Sequence, residues 1–153
     1  MTPAAKKPKA AAKASGVAGP QAPVAGYSGK PTIDKLGIKP GHRVAVIGLE
    51  AEKPFLADLK ARVGSWTTGA PKKGTNVVLL FADSTRDLAR LASLERAIAR
   101  DGMIWVVWPK GRPELKEDHV RGAALRMGLV DVKVCAFSEA LSGLKLVIPL
   151  ARR

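Results

Sequence analysis

Three short apolar runs constrain this chain more than any other feature: Arg43–Leu49 (RVAVIGL), Asn76–Ala82 (NVVLLFA) and Met103–Trp108 (MIWVVW). Each is rich in β-branched residues and apolar at consecutive positions rather than alternate ones. That pattern belongs to a strand covered on both faces, as in a parallel sheet. The stretches between the runs carry apolar residues at helical spacing instead. Lys53–Val63 has Phe55, Leu56, Leu59 and Val63, with Pro54 in its first turn and Gly64 at its end. Leu88, Leu91, Leu94 and Ile98 form a second stripe. It is capped by Asp83 or Ser84, has Asp87 in its first turn, and is expected to end at Asp101-Gly102.

The rest of the chain fills in around this alternation. Asp34–Leu36 reads as a short helical turn, broken by Gly37-Ile38-Lys39-Pro40-Gly41. Ser65–Thr68 reads as a short strand, and Gly69–Gly74 (GAPKKG) as a loop. Glu114–Met127 is an amphipathic helix stopped by Gly128, with acids early and Arg121 and Arg126 late, as the helix dipole favours. Val130–Phe137 and Leu144–Pro149 read as strands joined by a turn at Ser142-Gly143, which is too short a link for anything but antiparallel pairing. Strand–helix alternation therefore predicts an α/β domain with a mostly parallel sheet, right-handed crossovers and a C-terminal antiparallel hairpin.

Composition divides the chain in two. Residues 1–26 contain nine Ala, four Pro and four Lys, with no acid and no aromatic. Such a segment buries too little to offset the entropy of ordering and reads as a disordered basic arm. Tyr27–Pro31 reads as an ordered lead-in turn to a single domain spanning 27–153. That domain has 22 Lys+Arg against 13 acids, so +9 of the formal +13 belongs to it and +4 to the arm. The one cysteine excludes an internal disulfide and points to a reducing compartment. No uncharged apolar run is long enough for a membrane span, and no apolar segment follows Lys6, Lys7 and Lys9 as a signal peptide requires. The expected location is cytoplasmic.

The run Leu36-Gly37-Ile38-Lys39-Pro40-Gly41-His42-Arg43-Val44 resembles the segment that opens class I methyltransferase domains, where an L-x-x-K-P-G turn delivers the chain into the first strand. The later order is similar to that fold's carboxyl-terminal half: strand, helix ending in Arg100-Asp101-Gly102, strand, helix, then Gly128-Leu129-Val130 leading to an antiparallel pair. More closely, the chain resembles a family of short bacterial proteins known as a domain of unknown function. Tyr27-Ser28-Gly29-x-Pro31, Leu36–Gly41, Trp105-Val106-Val107-Trp108-Pro109-Lys110 and Leu129–Cys135 carry that likeness. It covers about residues 27–150. The resemblance implies a Rossmann-like, methyltransferase-like fold and implies no activity.

The residues themselves argue against the usual cofactor. S-adenosylmethionine is commonly held by a Gly-rich loop after the first strand, and an acid after the second strand binds the ribose hydroxyls. The first place reads Gly48-Leu49-Glu50-Ala51-Glu52, with one glycine. The second, Gly64–Thr75, has no acid and has Lys72 and Lys73 instead. Those lysines suit a phosphate, although a solvated turn is the simpler reading. GAPKKGT precedes a strand rather than a helix, so it is not a phosphate loop. Cys135 is expected to be a buried inert thiol, and His42 and His119 surface residues. No Cys/His cluster has zinc spacing. No cofactor and no metal are therefore expected.

Two places remain for a ligand. Open α/β sheets bind ligands outside the carboxyl ends of their parallel strands. Here that makes a candidate cleft from Gly48, Glu50, Asp83, Ser84, Trp108 and Lys110. Each also has a structural use: Gly48 in a turn, Asp83 or Ser84 as a cap, Trp108 in the core. Trp105 and Trp108, three apart in a strand, must face opposite sides. The arm AAKKPKAAAKA resembles the tails of linker histones and of some bacterial nucleoid proteins, with Lys6, Lys7, Lys9 and Lys13 as candidate phosphate contacts. The reading is a non-catalytic binding or interaction module. The alternatives are a divergent enzyme or nucleotide-binding protein using the cleft, and a weak, sequence-independent nucleic-acid binder using the arm.

Overall fold

The computed structural model describes residues 31–153. The arm, with its four candidate phosphate contacts, and the first part of the lead-in turn lie outside the described residues. Helix α1 (Thr32–Lys35) precedes strand β1 (Val44–Ile47), helix α2 (Lys53–Val63), and strands β2 (Thr67–Thr68) and β3 (Thr75–Phe81). A 3-10 turn (Thr85–Arg90) runs into α3 (Leu91–Ala97). Then come β4 (Ile98–Pro109), α4 (Glu117–Arg126), β5 (Val130–Ala136) and β6 (Leu141–Val147).

The six strands form one sheet in the order β2-β1-β3-β4-β6-β5. Strands β1 to β4 are parallel, with Val44 opposite Val77 and Leu79 opposite Trp105. Strand β6 runs antiparallel between β4 and β5, with Val106 opposite Leu144. The mostly parallel sheet with an antiparallel C-terminal hairpin is as expected.

Side-chain alternation explains why the apolar runs are continuous. Val78, Leu80, Ala82, Ile104, Val106 and Trp108 point to one face, where they meet Leu88, Leu91, Leu94, Val120 and Ala124. Val77, Leu79, Trp105 and Val107 point to the other, where they meet Ile33, Leu36, Phe55 and Leu59. Both faces of β3 and β4 are buried, so neither strand has a polar side. Arg62 fastens α2 to the lead-in, donating to Ile38 O at 2.7 Å and pairing with Asp34 at 2.7 Å.

The helix expected over Glu114–Met127 spans Glu117–Arg126, the strand expected over Ser65–Thr68 is only Thr67–Thr68, and two further boundaries differ in ways that bear on packing. The stripe Leu88, Leu91, Leu94, Ile98 is buried throughout, but the helix stops at Ala97, and Ile98 already pairs with Thr75 across β3 and β4. Arg100-Asp101-Gly102 therefore lies in a bulge of β4 between its pairings at Ile98 and Met103. Gly102 is needed there for close approach: a Cβ on it would lie 2.8 Å from Asn76 O and 3.0 Å from Ala99 O. Likewise Ser142-Gly143 is not the hairpin turn. Both residues pair within β6, Gly143 opposite Val107 and Cys135. A Cβ at 143 would press on the Trp105 ring, 3.3 Å from Cε3. The turn lies earlier, with Phe137 and Ser138 N–H both donating to Leu141 O.

Candidate functional site

The carboxyl end of the sheet is built from the ends of β1, β3 and β4 together with the start of β6. Gly48 leaves β1 at φ +82, and a Cβ there would lie 3.0 Å from Phe81 Cβ, so the turn after β1 tolerates only glycine without strain. Leu49 then turns inward and is buried, while Glu50 is exposed.

At the end of β3, Ser84 takes the N-cap position with extended backbone. Ser84 and Asp87 stand in the capping-box positions. The Asp87 carboxylate reaches back and accepts from Asp83 N–H at 2.8 Å and Ser84 N–H at 3.3 Å. That leaves the Asp83 side chain free to pair elsewhere, and it meets Arg112 with Oδ1–Nη1 at 2.8 Å. Arg112 Nη2 also donates to Asp83 O at 2.8 Å, so one guanidinium spans both groups of the same residue.

Arg112 belongs to the loop between β4 and α4, which walls a cavity of about 460 Å³. Trp108, Lys110, Arg112, Lys116, Glu117 and Ser142 contribute to its lining. Lys110 is fixed by its backbone, whose N–H donates to Ala140 O at 2.9 Å. Lys116 precedes α4, and its N–H donates to Nδ1 of His119 at 2.9 Å. Glu117 is engaged by Arg121, which also binds Asp131 at 2.8 Å. That pairing holds the Asp131 carboxyl below the ordinary carboxylate range. The cavity's acid is thus neutralised within the protein, while among the described residues Lys110 and Lys116 are in no ion pair.

Of the six residues expected at this cleft, Trp108 and Lys110 line the cavity. Asp83 reaches it through Arg112, and Ser84 holds the adjoining cap. Gly48 and Glu50 are not part of its lining. Sequence reasoning missed Arg112, Lys116 and Ser142. Arg112 had a signal, being a cation in the loop after a strand whose neighbour β3 is followed by Asp83. Ser142 had none, because only the β4–β6 register (Trp108 opposite Ser142) brings it here.

The reactive side chains have structural uses. Both histidines accept a backbone N–H three residues upstream, His42 from Lys39 at 3.1 Å and His119 from Lys116. His119 is exposed and His42 is half-buried, so the surface expectation holds fully only for the former. Cys135 is half-buried rather than buried, because β5 is the edge strand of the sheet. Burial still pushes its thiol above the ordinary value, and the nearby Lys35 and Lys133 offset that only in part. Among the described residues no cluster of three or more His, Cys, Asp or Glu could hold a metal ion, and no helix is long and apolar enough to cross a membrane.

Solved structures share this architecture. A SAM-dependent methyltransferase from Aquifex aeolicus superposes with a TM-score of 0.61 at 14% identity, covering 76% of this chain and 87% of that one. The cyclase SpnF gives 0.59 at 8% identity, over 77% and 79%. A magnesium protoporphyrin IX methyltransferase from Synechocystis PCC 6803, solved with bound SAM, gives 0.52 at 14% identity, over 76% and 74%. Likeness at such identities establishes the fold, which is methyltransferase-like. Because the same fold serves methyltransferases and a protein named as a cyclase, it does not fix an activity. No protein-family profile matches the chain, and no curated protein is similar to it in sequence.

Proposed function

We propose that this chain is a methyltransferase-like binding module that does not itself transfer a methyl group, and that its ligand enters the cavity at the carboxyl end of β4. The observation that carries this reading is the loop after β2. Gly69–Gly74 offers no carboxylate to ribose hydroxyls and presents Lys72 and Lys73, both exposed. At the carboxyl end of β3 the acids are committed elsewhere, Asp83 to Arg112 and Asp87 to the backbone of the cap. Lys110 and Lys116 give the cavity a cationic rim suited to an anionic group beside Trp108. The motif likeness to a short bacterial family without an assigned activity agrees with this reading.

Calorimetry of the full chain with S-adenosylmethionine and with succinate, an anion that carries neither a base nor a phosphate, tests it. The expected result is no S-adenosylmethionine binding in the micromolar range, and an anion response that Lys110→Ala weakens. Micromolar S-adenosylmethionine binding would overturn this reading in favour of the second, a divergent enzyme, which the named methyltransferases among the similar structures support.

A further inference from the structure

A second cavity, of about 550 Å³, opens at the opposite end of the sheet. Val44, Thr67 and Thr75 lie in its wall, and these are residues at the amino ends of β1, β2 and β3. His42, Arg43, Ser65, Trp66 and Lys72 complete its polar and aromatic lining, and no carboxylate contributes. Among the described residues neither Arg43 nor Lys72 takes part in an ion pair.

The local structure fixes these groups in place. The loop carrying Lys72 is pinned at both ends, Gly69 N–H to Val46 O at 3.3 Å and Gly74 N–H to Ala97 O at 2.7 Å. The Lys72 carbonyl accepts from the buried Thr75, from Oγ1 at 2.6 Å and from N–H at 3.2 Å. Arg43 is held through its backbone, which donates to Asn76 Oδ1 at 2.8 Å and accepts from Asn76 and Val77 N–H. Its Nη1 passes over the Gly74 turn, 4.0 Å from where a Cβ would stand, which brings the guanidinium to the same loop as Lys72. His42 uses Nδ1 as an acceptor from Lys39, so its neutral ring carries the proton on Nε2 and is a donor there. Trp66 is half-buried against the core cluster that holds Phe55 and Leu59, and it also lines the cavity.

We infer that this cavity binds a nucleotide unit, with the base against Trp66 and the phosphate between Arg43 and Lys72. The volume falls within the range of small-molecule sites, about 300–1,000 Å³. An indole surface beside unpaired cations is the pairing that a phosphorylated planar ring requires, since each element alone would serve any apolar group or any anion. Either a free nucleotide or one residue of a single strand presents that chemistry. The site lies away from the carboxyl-end cavity and does not depend on it.

The full chain is titrated with AMP, with adenosine and with a short single-stranded oligonucleotide, following tryptophan fluorescence and heat. Trp105 and Trp108 are 0% and 4% exposed, so Trp66 dominates any change on binding. The expected result is saturable quenching by AMP or by the oligonucleotide, with adenosine at least tenfold weaker. An Arg43→Gln/Lys72→Gln double variant should bind at least tenfold more weakly with an unchanged melting temperature, since both side chains are exposed. Trp66→Phe should abolish the quenching and weaken the calorimetric affinity. AMP alone binding identifies a free nucleotide; tighter binding of the strand identifies a nucleic acid. The inference is overturned if neither ligand quenches, if adenosine binds as well as AMP, or if the double variant binds either ligand as wild type does. The last outcome would move an oligonucleotide contact to another surface. Lys110→Ala, which alters the other cavity, should leave this response unchanged.

Discussion

The indole Nε1 of Trp105 donates to the carbonyl of Leu36 at 3.0 Å, across a sequence separation of 69 residues. Trp105 is in the central strand β4, and Leu36 ends the short helical lead-in. The bond is fully buried and satisfies both partners, so the segment before β1 is stitched to the middle of the sheet. Trp105→Phe leaves Leu36 O without its partner and removes a ring that touches Gly143. We expect a loss of about 2–4 kcal/mol from the combined unsatisfied carbonyl and cavity. Trp108→Phe is the control: among the described residues the Trp108 indole has no hydrogen-bond partner. Urea denaturation of both variants should show the Trp105 change costing more, and equal costs would refute a role for the bond.

The glycines show where sequence reasoning reached its limit. Gly48, Gly64 and Gly128 were legible as turn residues, and each has positive φ. Gly102 and Gly143 were read the same way, yet both lie within strands where the missing side chain permits close packing. In sequence, a glycine that turns the chain and one that lets a backbone or a ring approach look alike. The buried runs of β1, β3 and β4 were legible because two-faced burial leaves a continuous apolar signature. The cavities were not, because Trp108 meets Ser142 only through the β4–β6 register, and Arg43 and Lys72 reach one cavity only because β1 pairs with β3. Asp83 and Lys110 could be placed at one end of the sheet from topology, but the pairing of Asp83 with Arg112 depends on a loop conformation.

Gly102→Ala tests the close-approach account directly. The added methyl would sit 2.8 Å from Asn76 O and 3.0 Å from Ala99 O, both backbone atoms that cannot swing aside. The bulge must open, and the cost should be about 2 kcal/mol or more. Gly111→Ala makes a contrast, because nothing lies within 4 Å of its Cβ and only its φ of +78 opposes the change, worth about 1 kcal/mol. Thermal melts should rank the two in that order.

Lys35 predicts an alkaline dependence of stability. It is 8% exposed, and its Nζ donates to Ala136 O at 2.6 Å. Burial lowers its pKa, Cys135 opposes this, and Lys110 and Lys133 add to it. Between the lowered folded value and the ordinary lysine value the unfolded chain binds more protons, so stability rises with pH through that window. The gain is complete above about 10.4 and is lost as pH falls through the folded value. Cys135 works the other way: its raised pKa lets the folded state hold the proton longer, so its contribution falls with rising alkalinity. Lys35→Met removes the rising part and also takes away a charge that lowers the Cys135 pKa, which deepens the falling part. Urea midpoints measured from neutral to alkaline pH should climb less, or fall more, in the variant than in wild type; parallel curves would show that Lys35 is not the group responsible.

The basic arm makes a quantitative prediction of its own. Residues 1–26 carry Lys6, Lys7, Lys9 and Lys13 and no acid. If all four contact phosphates, deleting the arm should reduce the log–log salt slope of duplex DNA binding by about 3.6. The folded part keeps +9, so residual binding of the 27–153 chain should be weaker but not abolished at low salt. The arm contains no aromatic residue and little else that could be buried, so its removal should leave the melting temperature unchanged. The two measurements separate the roles available to it. An unchanged slope removes the arm from phosphate binding and leaves it a solubilising tail. A lowered melting temperature shows instead that it packs on the domain, and its lysines then act from fixed positions rather than as a tether.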